Sequence, residues 1–352
     1  MGATYQSVQW NPQKRLYDLV AVGGLCLYLI GFITASLVLS ANADPMIVTI
    51  RAFGSAAFIL LHVVLSIGPL CRIRPGLLPL LYNRRHLGVI TFLTGLTHAM
   101  LVTFYYHLGG PAHPILSIFL SSSFSGDLAW LPFQPFGFVA LVILFLMAAT
   151  SHDFWLNQLS APVWKSLHML VYVAYALLVV HVAFGILQSE QSPLFVWATA
   201  AGLTGLFSLH LVAGRREKND DRPQSSSPDE EGFFEVARVD DIRMGRARIV
   251  SLAGERVAVF KYQDSESGTV QINAVSNVCR HQNGPLGEGK VVEGCITCPW
   301  HGYQYLPRNG CSPPPFTEKI PTFRVRLVGT RILVEGVPQP PGTDVAPAVH
   351  IP

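Results

Sequence analysis

Two hydrophobic patterns divide the chain. Up to about residue 214 the sequence runs in long, nearly charge-free apolar stretches at about 17–40, 50–70, 87–107, 135–151, 166–188 and 194–214. Each but the fourth reaches the roughly 20 residues that an apolar helix needs to cross a bilayer, so six transmembrane helices are predicted. From Phe233 the pattern changes to short alternating runs, FFEVARV, RARIVSL, RVAVFKY, VQINAVS, FRVRLV and RILVEG, broken by Gly, Asp and Pro. Alternation with that punctuation marks antiparallel strands. The segment KNDDRPQSSSPDE between the two regions has too little apolar surface to fold alone and reads as a linker. The expected architecture is multi-domain: an α-helical transmembrane bundle of six helices over 1–214, a flexible linker over 215–231, an all-β domain over 232–336 and a loose Pro-rich tail over 337–352.

Charge placement orients the spans. Only 13 of the 47 charged residues precede Arg215. Arg72, Arg74, Arg84 and Arg85 lie in the loop at 71–86, Lys165 in the next loop on that side, and Arg215, Arg216 and Lys218 follow the last span. The opposite loops carry Asp44, Asp127 and Glu190, with Arg51 the basic exception, and Lys14 and Arg15 precede the first span. Excess Lys and Arg on one side marks it as cytoplasmic, which places both termini and the β domain in the cytoplasm and the chain in the inner membrane. The polar first twelve residues and the long first apolar run do not fit a secretory signal, so that run is expected to remain a span. A net charge of +3, spread over short loops, forms no surface that tracks phosphates, and nucleic acid is excluded as a partner.

Six cysteines are too few and too unevenly spaced for a disulfide scaffold: Cys26 and Cys71 lie in or beside spans, and the other four crowd between 279 and 311. Within that crowd stand Cys279-Arg-His281 and, after sixteen intervening residues, Cys298-Pro-Trp-His301-Gly302. Each loop thus offers one thiolate and one imidazole, the set with which two cysteines hold one iron and two histidines the other in a Rieske centre. A Cys₂His₂ zinc site uses the same donors, but zinc fingers pair the cysteines and then the histidines, whereas each loop here mixes them. The stretch CRHQNGPLGEG…GCITCPWHGYQY resembles the Rieske family, and with its flanking strands the resemblance covers roughly 233–336. It implies a [2Fe–2S] cluster on Cys279, His281, Cys298 and His301. Rieske proteins of respiratory cytochrome bc complexes carry a further disulfide between the two loops; Trp300 in one and Gly284-Pro285 in the other rule it out here. Tyr303 stands where those proteins have a serine donating to a cluster sulfur, while Tyr305 keeps the tyrosine position, which implies a lower potential, as in Rieske ferredoxins and ring-hydroxylating oxygenases. Cys295 and Cys311 read as plain thiols in a reducing cytoplasm.

Five histidines, His62, His98, His107, His168 and His181, lie in or at the ends of the uncharged spans. Hydrocarbon penalises such groups unless they are paired or ligating, so a ligand role competes with hydrogen bonding to a neighbouring helix. The run YNRRHLGVITFLTGLTH (82–98), with His168 and His181, resembles the ferric reductase-like transmembrane family over roughly 50–190. That resemblance implies b-type haem clamped between the third and a later span, with His98 and His181 at the outer positions and His168 at the inner one. The thirteen residues from His168 to His181 rise about 20 Å but turn the two side chains some 140° apart, so the helix must bend, bulge or present haems at different edges. Asn83, Arg84 and Arg85 occupy the place of the inner histidine of the third span. His62 is the first choice for the fourth ligand and His86 the second, and both one haem and two remain open. His107 reads as an interfacial side chain, and His113, His152, His210 and His350 as loop or boundary residues.

Oxidase-type relatives append a flavin and nicotinamide domain, but no G-x-G-x-x-G follows a strand here, and the β domain stands in its place. The expected function is membrane-bound electron transfer between a cytoplasmic reductase or ferredoxin, the cluster, intramembrane haem and an acceptor at the outer face: a quinone, a metal ion, oxygen or a periplasmic protein. A second expectation is the membrane-anchored Rieske component of an oxygenase system with the bundle as anchor only. A third is a redox sensor or a cofactor-stabilised assembly factor whose cluster state changes partner binding. No facial triad of two histidines and a carboxylate is recognisable, so no monooxygenase chemistry is expected in this chain.

Overall fold

The computed structural model describes residues 12–40, 42–110, 112–120, 133–151, 159, 161–185, 193–220, 227–265, 267–281, 283–299 and 302–350. They form two compact units, one of Pro12–Gly68 with Asn83–His210 and one of Pro69–Tyr82 with the residues from Leu211 onward.

The helices are α1 (Pro12–Leu39), α2 (Pro45–Ile73), α3 (Arg84–Val102), α4 (Pro114–Leu120), α5 (Gln134–Ala149), α6 (Ala161–Met169), α7 (Val171–Phe184) and α8 (Pro193–Asp220). Five described segments, Lys14–Leu39, Pro45–Ile73, Arg84–His107, Ser166–Phe184 and Pro193–Lys218, are long and apolar enough to cross a membrane. The fourth expected span appears as the shorter apolar α5 of 16 residues. The protein is a membrane protein with an apolar α-helical bundle and an all-β domain. Asp44 starts α2: its carboxylate accepts the Met46 and Ile47 amides at 2.7 and 3.2 Å, and Pro45 follows where no amide is needed. Leu16, Leu19, Leu27, Ile30, Val38 and Leu39 stand exposed on α1, as expected of a lipid-facing surface, while Leu61, Leu65, Tyr175 and Leu206 pack with Phe58, Leu144, Val171 and Leu178 in the helical core. Thr91 and Thr94 return their hydroxyls to the Leu87 and Ile90 carbonyls at 2.8 and 2.7 Å, which satisfies them without leaving their helix.

Two irregularities shape this unit. The expected single helix over 166–188 is interrupted at Leu170, whose amide bonds back three residues to Leu167 (3.1 Å) before α7 resumes. The break falls between His168 and His181, where the helical phase of the two histidines called for a bend. At the end of α3, Thr103–His107 form a π-helical turn closed by the Leu108 amide on the Thr103 carbonyl at 3.0 Å.

The β strands run β1 (Phe233–Arg238), β2 (Arg246–Leu252), β3 (Glu255–Gln263), β4 (Val270–Ser276), β5 (Lys290–Val292), β6 (Cys295–Thr297), β7 (Gln304–Tyr305), β8 (Thr322–Phe323), β9 (Val325–Val328), β10 (Arg331–Glu335) and β11 (Ala348–His350). They make three antiparallel sheets: β1-β10-β9; β11-β4-β3-β2 with β8 also on β4; and β5-β6-β7. The alternation of β3 divides the interior. Val257 and Val259 join Ile272, Ala274, Phe323, Ile332 and Val334 in one core, whereas Ala258 and Phe260 join Leu286, Ile296, Tyr305 and Ile320 in another, beneath the cysteine loops.

Two expectations at the edges of this domain change. Helix α8 continues to Asp220, into the expected linker, where Glu217 pairs with Arg72 at 2.9 Å and Arg256 at 3.1 Å; residues 221–226 of the linker lie outside the described residues. The tail is not loose. Its Val349 pairs with Gln271 as β11 adds to β4, the Val345 amide bonds the Arg308 carbonyl at 2.8 Å, and Arg308 grips Asp344 with two bonds. An alternating Ala-Val-His triplet supplies an edge strand that a reading by proline content passes over.

Candidate redox centres

The first cysteine loop leaves β4 and is folded by local backbone bonds. The Cys279 amide donates to the Gly284 carbonyl at 2.9 Å, and the Asn283 amide closes on the Cys279 carbonyl at 2.7 Å, with Asn283 in the left-handed region (φ 57°) that asparagine tolerates. Asn277 pins the return, its carboxamide oxygen accepting the Gly287 amide at 2.7 Å. The second loop joins β6 to β7: the Cys298 amide donates to the Tyr303 carbonyl at 2.8 Å, and Gly302, at φ 75°, donates back to Cys298 at 2.9 Å. The loops meet where a Cβ on Gly289 would lie 2.1 Å from the Thr297 carbonyl oxygen, so only glycine lets them approach.

Cys279 and Cys298 are each 1% exposed, in the core that holds Tyr303 and Tyr305. The Tyr305 hydroxyl accepts the Arg280 amide at 3.0 Å, which leaves its own proton for the Cys279 sulfur, 3.4 Å away. A donor aimed at a buried sulfur suits a thiolate, and this donor set fits the two thiolate ligands of one iron. The half-buried ring of His281 stacks on Tyr303 at 4.7 Å and 7°. Trp300 and His301 lie outside the described residues. Burial pushes the Tyr303 and Tyr305 phenols up, reinforced by Glu318 at the first and Cys279 at the second. Burial likewise raises the Cys295 thiol and keeps it protonated, and Cys295 and Cys311 are both free.

Sequence reasoning placed Tyr303 and Tyr305 beside the cysteines but gave Tyr303 no partner. Its hydroxyl donates to Glu318, and Phe316 meets its ring edge-on at 5.0 Å, so the CSPPPFTEK segment forms one wall of the site. Nothing in the local pattern around Glu318 signals that contact.

In the helical unit the structure sorts the histidines. His98, on α3, and His181, on α7, come together with ring centres 6.4 Å apart and planes at 81°. Each donates from Nδ1 to a backbone carbonyl of another segment at 2.9 Å, His98 to Ile50 and His181 to Phe133. A carbonyl cannot donate, so the proton sits on Nδ1 and each Nε2 keeps a lone pair, the arrangement of metal-bound imidazoles. Two metal–nitrogen bonds of about 2 Å, with about 1 Å from each ring nitrogen to its ring centre, require roughly 6 Å between axial rings. The pair therefore fits a haem iron.

The other histidines do not assemble in this way. His62 has both nitrogens engaged, with the Phe58 carbonyl and the Tyr175 hydroxyl, each at 2.9 Å. His168 donates to the Trp164 carbonyl at 3.1 Å, stacks on the Trp164 ring at 3.8 Å and has Nε2 3.5 Å from the Ser151 hydroxyl. Among the described residues no ring contact joins His168 to His62 or His86. His86 and Asn83 both bond Asp18 of α1, His86 at 2.8 Å, so the polar cluster that replaces the inner histidine of the third span is held by its own carboxylate. His107 is buried rather than interfacial, its Nδ1 bonded to the Ser117 hydroxyl at 2.6 Å.

Comparison with known proteins agrees with both halves. Residues 232–324 match the family model of the Rieske [2Fe-2S] domain, and residues 53–179 match that of the ferric reductase like transmembrane component. A cholesterol 7-desaturase, nvd 1 of Ciona intestinalis, is 34% identical over 115 residues, 32% of this chain and 23% of that protein. The protein-methionine-sulfoxide reductase heme-binding subunit MsrQ of Ralstonia nicotianae is 32% identical over 140 residues, 40% of this chain and 59% of that protein. The chain thus spans less than two thirds of either relative. Among solved structures, the ferredoxin of carbazole 1,9a-dioxygenase from Nocardioides aromaticivorans IC177 is 27% identical, covering 30% of this chain and 98% of that one with a TM-score of 0.26.

Proposed function

From a chain that joins a Rieske [2Fe–2S] domain to a ferric reductase-like membrane component, we propose a transmembrane electron-transfer protein. It links a cytoplasmic reductase or ferredoxin, a cluster on Cys279, His281, Cys298 and His301, a b-type haem on His98 and His181, and an acceptor at the outer face. Both groups supply one-electron carriage when bound, and the chain supplies position and potential. The observation that carries this reading is the pair of imidazoles at 6.4 Å, each with Nδ1 fixed on a backbone carbonyl, in a chain that also buries the two Rieske cysteines.

Tyr305 serves as donor to the Cys279 sulfur and Tyr303 as the platform beneath His281. One haem is assigned. A second on His168 and His62 would require His62 to leave Tyr175 and His168 to leave its stack on Trp164. The basic residues at 72–85 and 215–218 support an inner-membrane chain with both termini and the Rieske domain cytoplasmic. Quinone, metal ion, oxygen and a periplasmic protein all suit the outer end.

A second reading has its own support, since the chain is also 28% identical over 90 residues to a protein named as the oxygenase component of a 3-ketosteroid-9-alpha-monooxygenase: a membrane-anchored Rieske component of an oxygenase system, with the bundle as anchor alone. Purified full-length protein with a reduced ferredoxin separates the two. The electron-transfer reading predicts haem reduction that is lost in His301→Ala while dithionite still reduces the haem; haem reduction by ferredoxin undiminished in that variant would refute it.

A further inference from the structure

Resting on the haem reading above, we infer that two matching seats, a backbone carbonyl followed four residues later by a glycine, fix the axial imidazoles, and that Gly54 and Gly137 are positioning residues for the haem. On α2 the Ile50 carbonyl receives His98 Nδ1 at 2.9 Å, and a Cβ on Gly54 would lie 2.9 Å from Nδ1 and Cε1 of that ring. At the start of α5 the Phe133 carbonyl receives His181 Nδ1 at 2.9 Å, and a Cβ on Gly137 would lie 2.7 Å from the same two atoms of His181. Ring atoms essentially never come that close to a Cβ, and each ring is also tied by its hydrogen bond, so an added methyl group must move the ring off the carbonyl. In the second seat the Gly137 amide lies 3.5 Å from the Phe133 carbonyl, so that oxygen serves His181 more closely than its own helix.

The two seats are built alike in different parts of the sequence. Each belongs to a helix that precedes the one carrying the histidine: α2 for His98 on α3, and α5 for His181 on α7. Together they hold the rings at 81°. Crossed axial planes split the iron orbitals little and give a strongly anisotropic low-spin ferric signal, whereas parallel planes give an ordinary rhombic one. The seats, through ring angle and Nδ1 bonding, therefore set the electronic character of the haem as well as its retention.

The test uses full-length protein in detergent, with haem per chain, ferric paramagnetic resonance and the Rieske signal recorded on each sample. Wild type is expected to give the strongly anisotropic signal. Gly137→Ala should lower haem affinity by about tenfold or more, the cost of disturbing the partner of a metal-bound imidazole, and any haem retained should show a changed signal. Gly54→Ala should do the same to a smaller degree. Gly95→Ala, whose Cβ meets only ordinary contacts at 3.8 Å with Ala57 and Leu141, should leave both readouts unchanged. The Rieske signal reports that the β domain has folded, and a monodisperse elution of the detergent-solubilised chain that the helical unit has. Wild-type haem with a rhombic, parallel-ring signal would overturn the inference even if an alanine variant failed to fold, as would unaltered haem and signal in Gly54→Ala and Gly137→Ala. Wild type without haem would remove the function and the inference together.

Discussion

The two redox centres proposed for this protein would assemble their ligands in opposite ways. At the proposed cluster end two short loops, tightened by backbone bonds between residues four or five apart, each carry a cysteine and a histidine close in sequence. At the haem end His98 and His181 are 83 positions apart, and each is held by a carbonyl 48 positions away, Ile50 for one and Phe133 for the other. A motif specifies the first kind of site; only packing specifies the second. The same contrast governs polar groups near each proposed centre: Tyr305 reaches the Cys279 sulfur through its side chain, whereas His98 and His181 rest on backbone oxygens, which no substitution removes.

The contrast can be broken most sharply by ligand deletion. His181→Ala or His98→Ala should reduce bound haem to background and leave the Rieske resonance intact, while Cys279→Ser or His301→Ala should do the reverse; optical haem assay and paramagnetic resonance on one sample read both. His62→Ala sharpens it next. As a hydrogen-bonded core residue, His62 should be replaceable with haem retained, at a cost of about 1–3 kcal/mol from the Tyr175 hydroxyl left unpaired, seen as a lower thermal midpoint. Loss of haem in that variant would return His62 to the ligand set. The smallest effect belongs to Tyr305→Phe. Losing the donor to Cys279 disfavours the more negative reduced cluster, so the potential should fall by on the order of 40 mV, measured by redox titration.

Legibility in the sequence follows the same division. The spans and the longer strands could be read directly, and the C-x-H and C-x-x-H loops picked out, because hydropathy runs, period-two alternation and residue spacing are local signals. The His98–His181 pairing came from family resemblance, since helical phase alone set His168 and His181 apart and said nothing of which ring meets His98. His62 illustrates what a sequence cannot separate: a histidine at mid-depth in a span looks the same whether it faces iron or a tyrosine hydroxyl. Glu318 and the glycine seats were hidden for a further reason, because their roles arise from contacts across the fold, and a glycine records only the side chain it lacks.

The most direct test of two redox centres in one chain is a reduced-minus-oxidised optical spectrum of the purified full-length protein, with haem counted per chain alongside the Rieske resonance. The account predicts sharp b-type bands at one haem per chain together with a Rieske signal. A Rieske signal without b-type bands, after expression with haem supplied, would contradict it and leave the helical unit as an anchor.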